Sequence, residues 1–429
     1  MSRPVRDALE AILSRIGDGR PVFTRLLGET ARAEADAADA RRAARLTLGP
    51  LDGTIVSVKD LLDVAGVPTW AGSSALRDAA PATQDAPVVA RLRRAGAVII
   101  GKTNMSEFAF SGVGLNATFG TPGNALDAAL IPGGSSSGAA VSVAQGSSVL
   151  AVGTDTGGSC RIPAALNGIT GMKPSHGSVP AEGCFPLAPS LDVIGPLARD
   201  VAGCAALFDV LAGRESALAS PLAPSRIRLG VARGGFLAEA DPAIVAAYDA
   251  ALARIERLGI TLEPVDLDAP WQEMQAAFPV PMVAIEAAAV HRELMARDPG
   301  LFDRRVAARI GLGTAFPAAD YLRTVETRRQ LVRRLATLLD GLDGFLAPTV
   351  PVPAPAIAAL EADDDTFHAA NRLMLRNPAF CNLFDLCSIS LPLPLDGGRS
   401  GGLMLSAVAG EDQRLLRVAA QLESALRQG

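Results

Sequence analysis

Histidine is scarce in this chain, with three in 429 residues: His176, His291 and His368. None stands at a ligand spacing from Cys, Asp or Glu, so no zinc site is offered and no metal is expected. Histidine is also the usual base for a serine or cysteine nucleophile. His176 lies in the turn-like KPSHGSVP, which suits loop packing better than catalysis, so a Ser-His-Asp triad is unattractive. The five cysteines, Cys160, Cys184, Cys204, Cys381 and Cys387, are odd in number and scattered. That argues against a disulfide framework and for small buried side chains.

Long apolar runs are missing as well. No stretch reaches membrane-spanning length without polar interruption, and the N-terminal MSRPVRDALEAILSRIGDGR mixes charges into a helical period where a signal peptide would carry an apolar core. The expectation is a soluble cytoplasmic protein with no membrane contact. Nor is there an excess of positive charge. The net charge is −5, and basic residues cluster in short helical runs such as Arg328, Arg329, Arg333 and Arg334, so nucleic acid is not an expected partner. Neither the phosphate-loop ending Gly-Lys-Ser/Thr nor GxGxxG between strand and helix occurs, and no cofactor is indicated.

What is present is a large core: 49% of residues are hydrophobic and 20% charged. From residue 53 onward, β-branched runs alternate with amphipathic or small-residue helices, the pattern of a layered α/β protein. GTIVSVKD predicts a strand ending at Lys59 and Asp60. Asp85 is expected to cap the helix PVVARLRRA, followed by the strand AVII at 97–100. SVLAVG, IRLGVA, LAPTVPVP (346–353), SISLPLP (388–394) and GLMLSAV (402–408) also read as strands. Asp200 opens the helix VAGCAALFDVL, and Asp241 with Pro242 opens another that runs to Leu258. Residues 265–340 are helix-rich and read as peripheral, and RLLRVAAQLESAL closes the chain as a helix.

Two glycine-rich loops interrupt this pattern. PGGSSSG (132–138) is flanked by Ile131 and the apolar AAVSVA, which a flexible linker would not have. In GTDTGGSCRIP (153–163) a strand stops, glycines free the backbone, and Ser159 stands at the threshold of the next segment. The N–H groups of Thr156, Gly157, Gly158 and Ser159 are thereby candidates for an oxyanion hole.

These residues, together with Lys59, resemble the amidase signature family. Its hallmark is a Gly/Ser-rich stretch running into G-[ST]-D-x-G-G-S-x-R-x-P, and 24 positions separate Ser135 from Ser159, as in the family. VSVKDLLDVAGVPTWAGS, VIIGKTNMSEFAFSG, GITGMKPSHGSVP and SLDVIGPLARDV are also similar. The resemblance is strong over about 50–212 and weaker over 345–427. It implies an α/β/α sandwich around a large mixed β-sheet, formed by one domain over 1–429 with a variable helix-rich segment at about 215–340. It further implies Ser159 as nucleophile, Ser135 as bridging serine after a cis peptide from Gly134, and Lys59 as buried lysine.

The chemistry follows from these roles. Lysine at its ordinary pKa of about 10.4 is no base at neutral pH, but burial disfavours the charged form, so a desolvated Lys59 can accept the Ser159 proton through Ser135. Lys102 in GKTN corresponds to the family's structural lysine. Asp155 and Arg161 are expected to hold the nucleophile loop, by a mutual ion pair or by backbone hydrogen bonds, with Arg161 a candidate substrate contact. Cys160 is no nucleophile. Phe185, Trp271 and Met282 read as core before pocket. The expected function is hydrolysis of a small carboxamide or urea-like C–N bond through an acyl-enzyme. The alternative is the glutaminase subunit of a tRNA-dependent amidotransferase, which would bring nucleic acid into reach. A homodimer is compatible with the first.

Overall fold

The computed structural model describes residues 4–214, 218 and 222–427. Eleven strands form one sheet: β1 (Phe23–Leu26), β2 (Ile55–Lys59), β3 (Val98–Thr103), β4 (Leu150–Thr154), β5 (Thr170–Lys173), β6 (Ile194–Ala198), β7 (Arg228–Ala232), β8 (Thr261–Val265), β9 (Phe345–Pro348), β10 (Cys387–Pro394) and β11 (Ser400–Ala407). Their order is β1-β3-β2-β4-β6-β5-β10-β11-β9-β7-β8. β2 runs parallel to both β3 and β4, and β7 runs parallel to β8 and β9. The strands between these two groups pair antiparallel, so the sheet is mixed, as the resemblance implies.

Alternation along the strands sends side chains to two cores. Val56, Val58 and Ile99 join the cluster under the helices Pro87–Arg94, Val201–Ala212, Pro242–Arg257 and Asp412–Arg427. Ile55, Val98 and Ile100 pack instead with Val5, Leu9, Ala31 and Ala35 of the two N-terminal helices. Lys59 shares the parity of Ile55 and Ser57. Ser57 hydrogen-bonds Ser142 at 3.0 Å on the helix Ser137–Ala144, so this second face is the one that receives the glycine-rich loop.

Two expectations need correction or extension. Asp85 does not cap a helix: Ala86 is the cap residue and Pro87 the first helical position, while Asp85 accepts from the Ala65 N–H at 2.8 Å and pairs with Arg93 at 3.0 Å. Four strands were not expected from the sequence: the edge strands β1 and β8, and β5 and β6 inside the sheet. β8 is half exposed and contains Pro264, which a sheet tolerates only at an edge. Asp200 does cap its helix, accepting from the Gly203 N–H at 2.8 Å. The helix-rich stretch comprises five helices between Asp268 and Leu338. They pack on an aromatic cluster with Phe236, Phe345 and Phe380, and the first residues of the 215–340 segment lie outside the described residues.

Gly138 fixes how the 132–138 loop enters its helix. A Cβ there would meet the Val22 carbonyl oxygen and would stand 2.7 Å from the Asn104 backbone nitrogen, with no flexible side chain to yield. Gly138→Ala should therefore cost about 1–3 kcal/mol in urea unfolding and impair turnover at the same time, because the displaced backbone carries Ser135. Unchanged stability would show that the loop tolerates more slack than its contacts imply.

Candidate active site

Lys59 and Thr154 end the neighbouring parallel strands β2 and β4, so both reach the carboxyl edge of the sheet, the usual place for a site in such architectures. The Lys59 Nζ donates to Ser135 Oγ at 2.7 Å and to Thr154 Oγ1 at 2.7 Å, and all three residues are buried. No carboxylate lies within ion-pair distance of it among the described residues. Burial pushes its pKa down to about 8, offset only in part by more distant Cys160, Cys184 and Asp155.

Lys102 differs in kind. It ion-pairs with Asp60 at 2.7 Å and donates to the Pro68 carbonyl and Thr69 Oγ1, both at 3.0 Å. That partner set suits a structural cation. Lys173, the third lysine, donates to the Pro174 carbonyl at 3.0 Å, and burial also lowers its pKa.

Ser135 follows a cis peptide with Gly134, as expected from the resemblance. Its loop is held from outside: the Ser106 N–H donates to the Ser135 carbonyl at 3.1 Å, and the Gly134 N–H to the Gly112 carbonyl at 2.8 Å. The two loops meet where the Ser136 N–H donates to the Ser159 carbonyl at 3.2 Å. Ser159 is almost fully buried, yet it lines a cavity of about 590 Å³, and its hydroxyl makes no hydrogen bond among the described residues. Lys59 and Ser135 are thus joined directly, and Ser159 is brought beside them with its hydroxyl uncommitted.

Behind the loop that carries Ser159 stands a buried ion pair. Arg161 Nη2 and Nε reach Asp155 Oδ1 and Oδ2 at 2.9 and 3.0 Å. Asn382 donates to Asp155 Oδ1 at 3.0 Å and accepts from Arg161 at 2.6 Å. Burial alone would raise the Asp155 pKa, but the guanidinium and Asn382 hold it well below the usual carboxylate range. The carboxylate also accepts from the N–H groups of Gly158 at 2.8 Å and Cys160 at 3.1 Å, so it shapes the turn.

Two expectations change on this account. The Gly158 N–H points to Asp155 and is not free for an oxyanion. Those of Thr156, Gly157 and Ser159 have no acceptor among the described residues. Arg161 is fully buried, committed to Asp155 and Asn382, and does not line the cavity, so it is not a substrate contact. Gly158 itself has φ +124°, and a Cβ there would lie 2.5 Å from Pro378, which explains the glycine.

Cys160 is buried, with its thiol pKa pushed well up by burial first and Asp155 second, which leaves it inert. Trp271 and Met282 line the cavity, whereas Phe185 lines a smaller neighbouring one of about 170 Å³. Sequence reasoning missed Thr154, Asn382 and Asp192, which accepts from the Thr156 hydroxyl at 2.6 Å. Thr154 was findable, since it sits in the same motif one strand away from Lys59. No group of His, Cys, Asp and Glu able to hold a metal exists among the described residues.

A mixed sheet with a buried lysine at its carboxyl edge and two facing glycine-rich loops defines a class of carbon–nitrogen hydrolases. The chain belongs to the amidase family, whose model, Amidase, matches residues 7–416. It is 38% identical over 414 residues to the 2-amino-5-chloromuconic acid deaminase of Comamonas testosteroni, covering 94% of this chain and 88% of that one. It is 34% identical over 450 residues to a component of the glutamyl-tRNA(Gln) amidotransferase of Symbiobacterium thermophilum, covering 96% and 91%. A solved amidase structure superposes with TM-score 0.88 at 32% identity, covering 99% of this chain and 96% of that one.

Removing one partner of the Asp155–Arg161 pair leaves a buried charge uncompensated. Arg161→Met should cost about 3–5 kcal/mol in chemical denaturation, and Arg161→Lys less, because the charge stays while the two-pronged geometry is lost. Equal stability of Arg161→Met and wild type would mean that the pair does not hold the loop.

Proposed function

We propose that the chain hydrolyses the C–N bond of a small carboxamide or urea-like compound, with Ser159 as nucleophile, Ser135 as relay and Lys59 as base. The observation that carries this reading is the 2.7 Å contact between Lys59 Nζ and Ser135 Oγ in a pocket without a counter-carboxylate. Ser159 Oγ attacks the carbonyl carbon while its proton passes through the Ser135 hydroxyl to neutral Lys59. The N–H groups of Thr156, Gly157 and Ser159 receive the oxyanion. The proton returns through Ser135 to the leaving nitrogen, ammonia or amine departs, and water cleaves the acyl-enzyme by the same relay to give the carboxylate.

The deaminase relative supports a small-molecule substrate, while the amidotransferase relative supports a second reading, a glutaminase that works with partner chains. The first reading is the one we adopt, with the chain acting alone or as a homodimer in the cytoplasm. No described helix is long and apolar enough to cross a membrane. A single domain is supported by one sheet whose strands run from Phe23 to Ala407. Ammonia release from glutamine only on addition of an amidotransferase partner would reverse the choice.

Ser159→Ala should lower kcat/KM by roughly 10³-fold or more without unfolding the protein. In wild type, hydroxylamine should divert the acyl group to a hydroxamate. A folded Ser159→Ala protein that keeps about a tenth of the rate would exclude Ser159 as nucleophile.

The pH dependence follows from Lys59. The base works unprotonated and its pKa is pushed down to about 8, so kcat/KM should climb about tenfold per pH unit below that value and level off above it. A profile flat across this region would remove Lys59 from the role of base.

A further inference from the structure

The cavity that contains Ser159 has an unbalanced lining. Among the described residues it presents three arginines, Arg309, Arg372 and Arg376, and no aspartate or glutamate. Two of the three are answered from outside the cavity. Glu239 stands 3.2 Å from Arg372 and 3.8 Å from Arg376, and Arg376 also donates to the Phe236 carbonyl at 3.1 Å.

Arg309 has no such partner. No carboxylate lies within 4.0 Å of it among the described residues. Its one hydrogen bond runs from Nη1 to the Phe110 carbonyl, and its guanidinium carbon lies 4.1 Å from the centre of the Phe110 ring. A guanidinium carries five N–H donors, so most of its capacity is unspent. Burial lowers its pKa to about 10, with no acidic neighbour to offset the effect, so it remains a cation at neutral pH.

The side chain is also held in place. Stacking on Phe110 fixes it next to Ala109 and Ser111, which line the same cavity as Ser159. Its helix, Arg304–Gly311, is anchored at the start, where the Asp303 N–H donates to the buried Glu107 Oε2 at 2.7 Å. On the same first turn Arg305 pairs with Asp364 at 2.6 Å and covers Phe367. A fixed, partly desolvated cation without a counter-charge beside a reactive serine is costly in the empty protein, and an anionic ligand offsets that cost.

We propose that Arg309 binds a carboxylate on the substrate, so that the amide hydrolysed is the monoamide of a dicarboxylic acid or a related amido acid. The proposal rests on the amidase reading and narrows it. One uncommitted planar fork matches the two oxygens of one carboxylate. A phosphate, with more charge and three oxygens, would need the other two arginines, which Glu239 already engages. Leu187, Phe278 and Met282 supply apolar wall for the carbon spacer between carboxylate and amide.

The test compares the monoamides of malonic, succinic and glutaric acid with the corresponding diamides, which are neutral and nearly isosteric. Wild type should prefer at least one monoamide by about tenfold or more in kcat/KM. Arg309→Met should lower that monoamide-to-diamide ratio by roughly 10- to 100-fold, the loss expected for a hydrogen-bonded charge, with Arg309→Lys in between. Preference for the diamide in all three pairs, or an unchanged ratio in Arg309→Met, overturns the proposal.

Two controls separate outcomes. Should Arg309→Met fail to fold, competitive inhibition of wild type by the free dicarboxylates decides: inhibition stronger than by the diamides supports the assignment, and weaker inhibition overturns it. Should wild type hydrolyse none of these six amides, calorimetric binding of the dicarboxylates to Ser159→Ala, with and without Arg309→Met, still reads the arginine independently of the amidase reading. Binding that ignores Arg309 sinks this inference alone.

Discussion

A lysine ammonium buried without a carboxylate partner is unfavourable, and the site is organised around one. Among the described residues Lys59 reaches only the hydroxyls of Ser135 and Thr154, which can bond its neutral form as well as its charged form. The fold bears the cost. With the folded pKa near 8 and the ordinary value near 10.5, the unfolded chain binds the proton more tightly between these limits. Stability therefore rises with pH across that window, and below about 8 the full deficit is present, roughly 3 kcal/mol. What is lost in stability appears as a lysine that reaches its neutral form at a pH where an ordinary lysine is protonated.

The surroundings separate charge from this lysine. Asp60, its neighbour in sequence, points to Lys102, and Asp155, at the end of the next strand, is absorbed by Arg161 and Asn382. Each carboxylate that could have restored the Lys59 ammonium is thus occupied elsewhere. The Asp155 network in addition spends the Gly158 N–H on shaping the turn, which leaves the N–H groups of Thr156, Gly157 and Ser159 without an acceptor among the described residues. The cavity side is built differently, from helices between Asp268 and Leu338 and from the helix Asp364–Leu383. Lys59 and Thr154 thus end strands at the sheet edge, while most of the cavity wall is helical.

The sequence was legible where structure is local to a motif. Lys59, Ser135 and Ser159 lie in strands and loops whose order is set by glycine, β-branching and spacing, and the seven strands expected are present with their ends shifted by a few residues, whereas β1, β5, β6 and β8 were not expected. It was not legible where a role depends on distant packing. Asp85 has the residue type of a cap but is drawn away by Ala65 and Arg93. Arg161 sits two residues after Ser159 in sequence and yet faces inward, and Asn382, over 220 residues further on, completes its pair. Arg309 lies in the segment without motifs, and only the fold shows that it lacks a partner. One unused signal was compositional: only three of the forty basic residues are lysine, and all three are buried in strands.

That scarcity makes the central claim directly measurable. Isotope labelling of lysine side chains yields three resonances, and Lys59→Arg identifies one of them by its loss. Followed by NMR across a pH titration, the Lys59 signal should change protonation near pH 8, consistent with desolvation between two hydroxyls. A Lys59 resonance that stays protonated until above about pH 10, the range of an exposed lysine, would contradict the account.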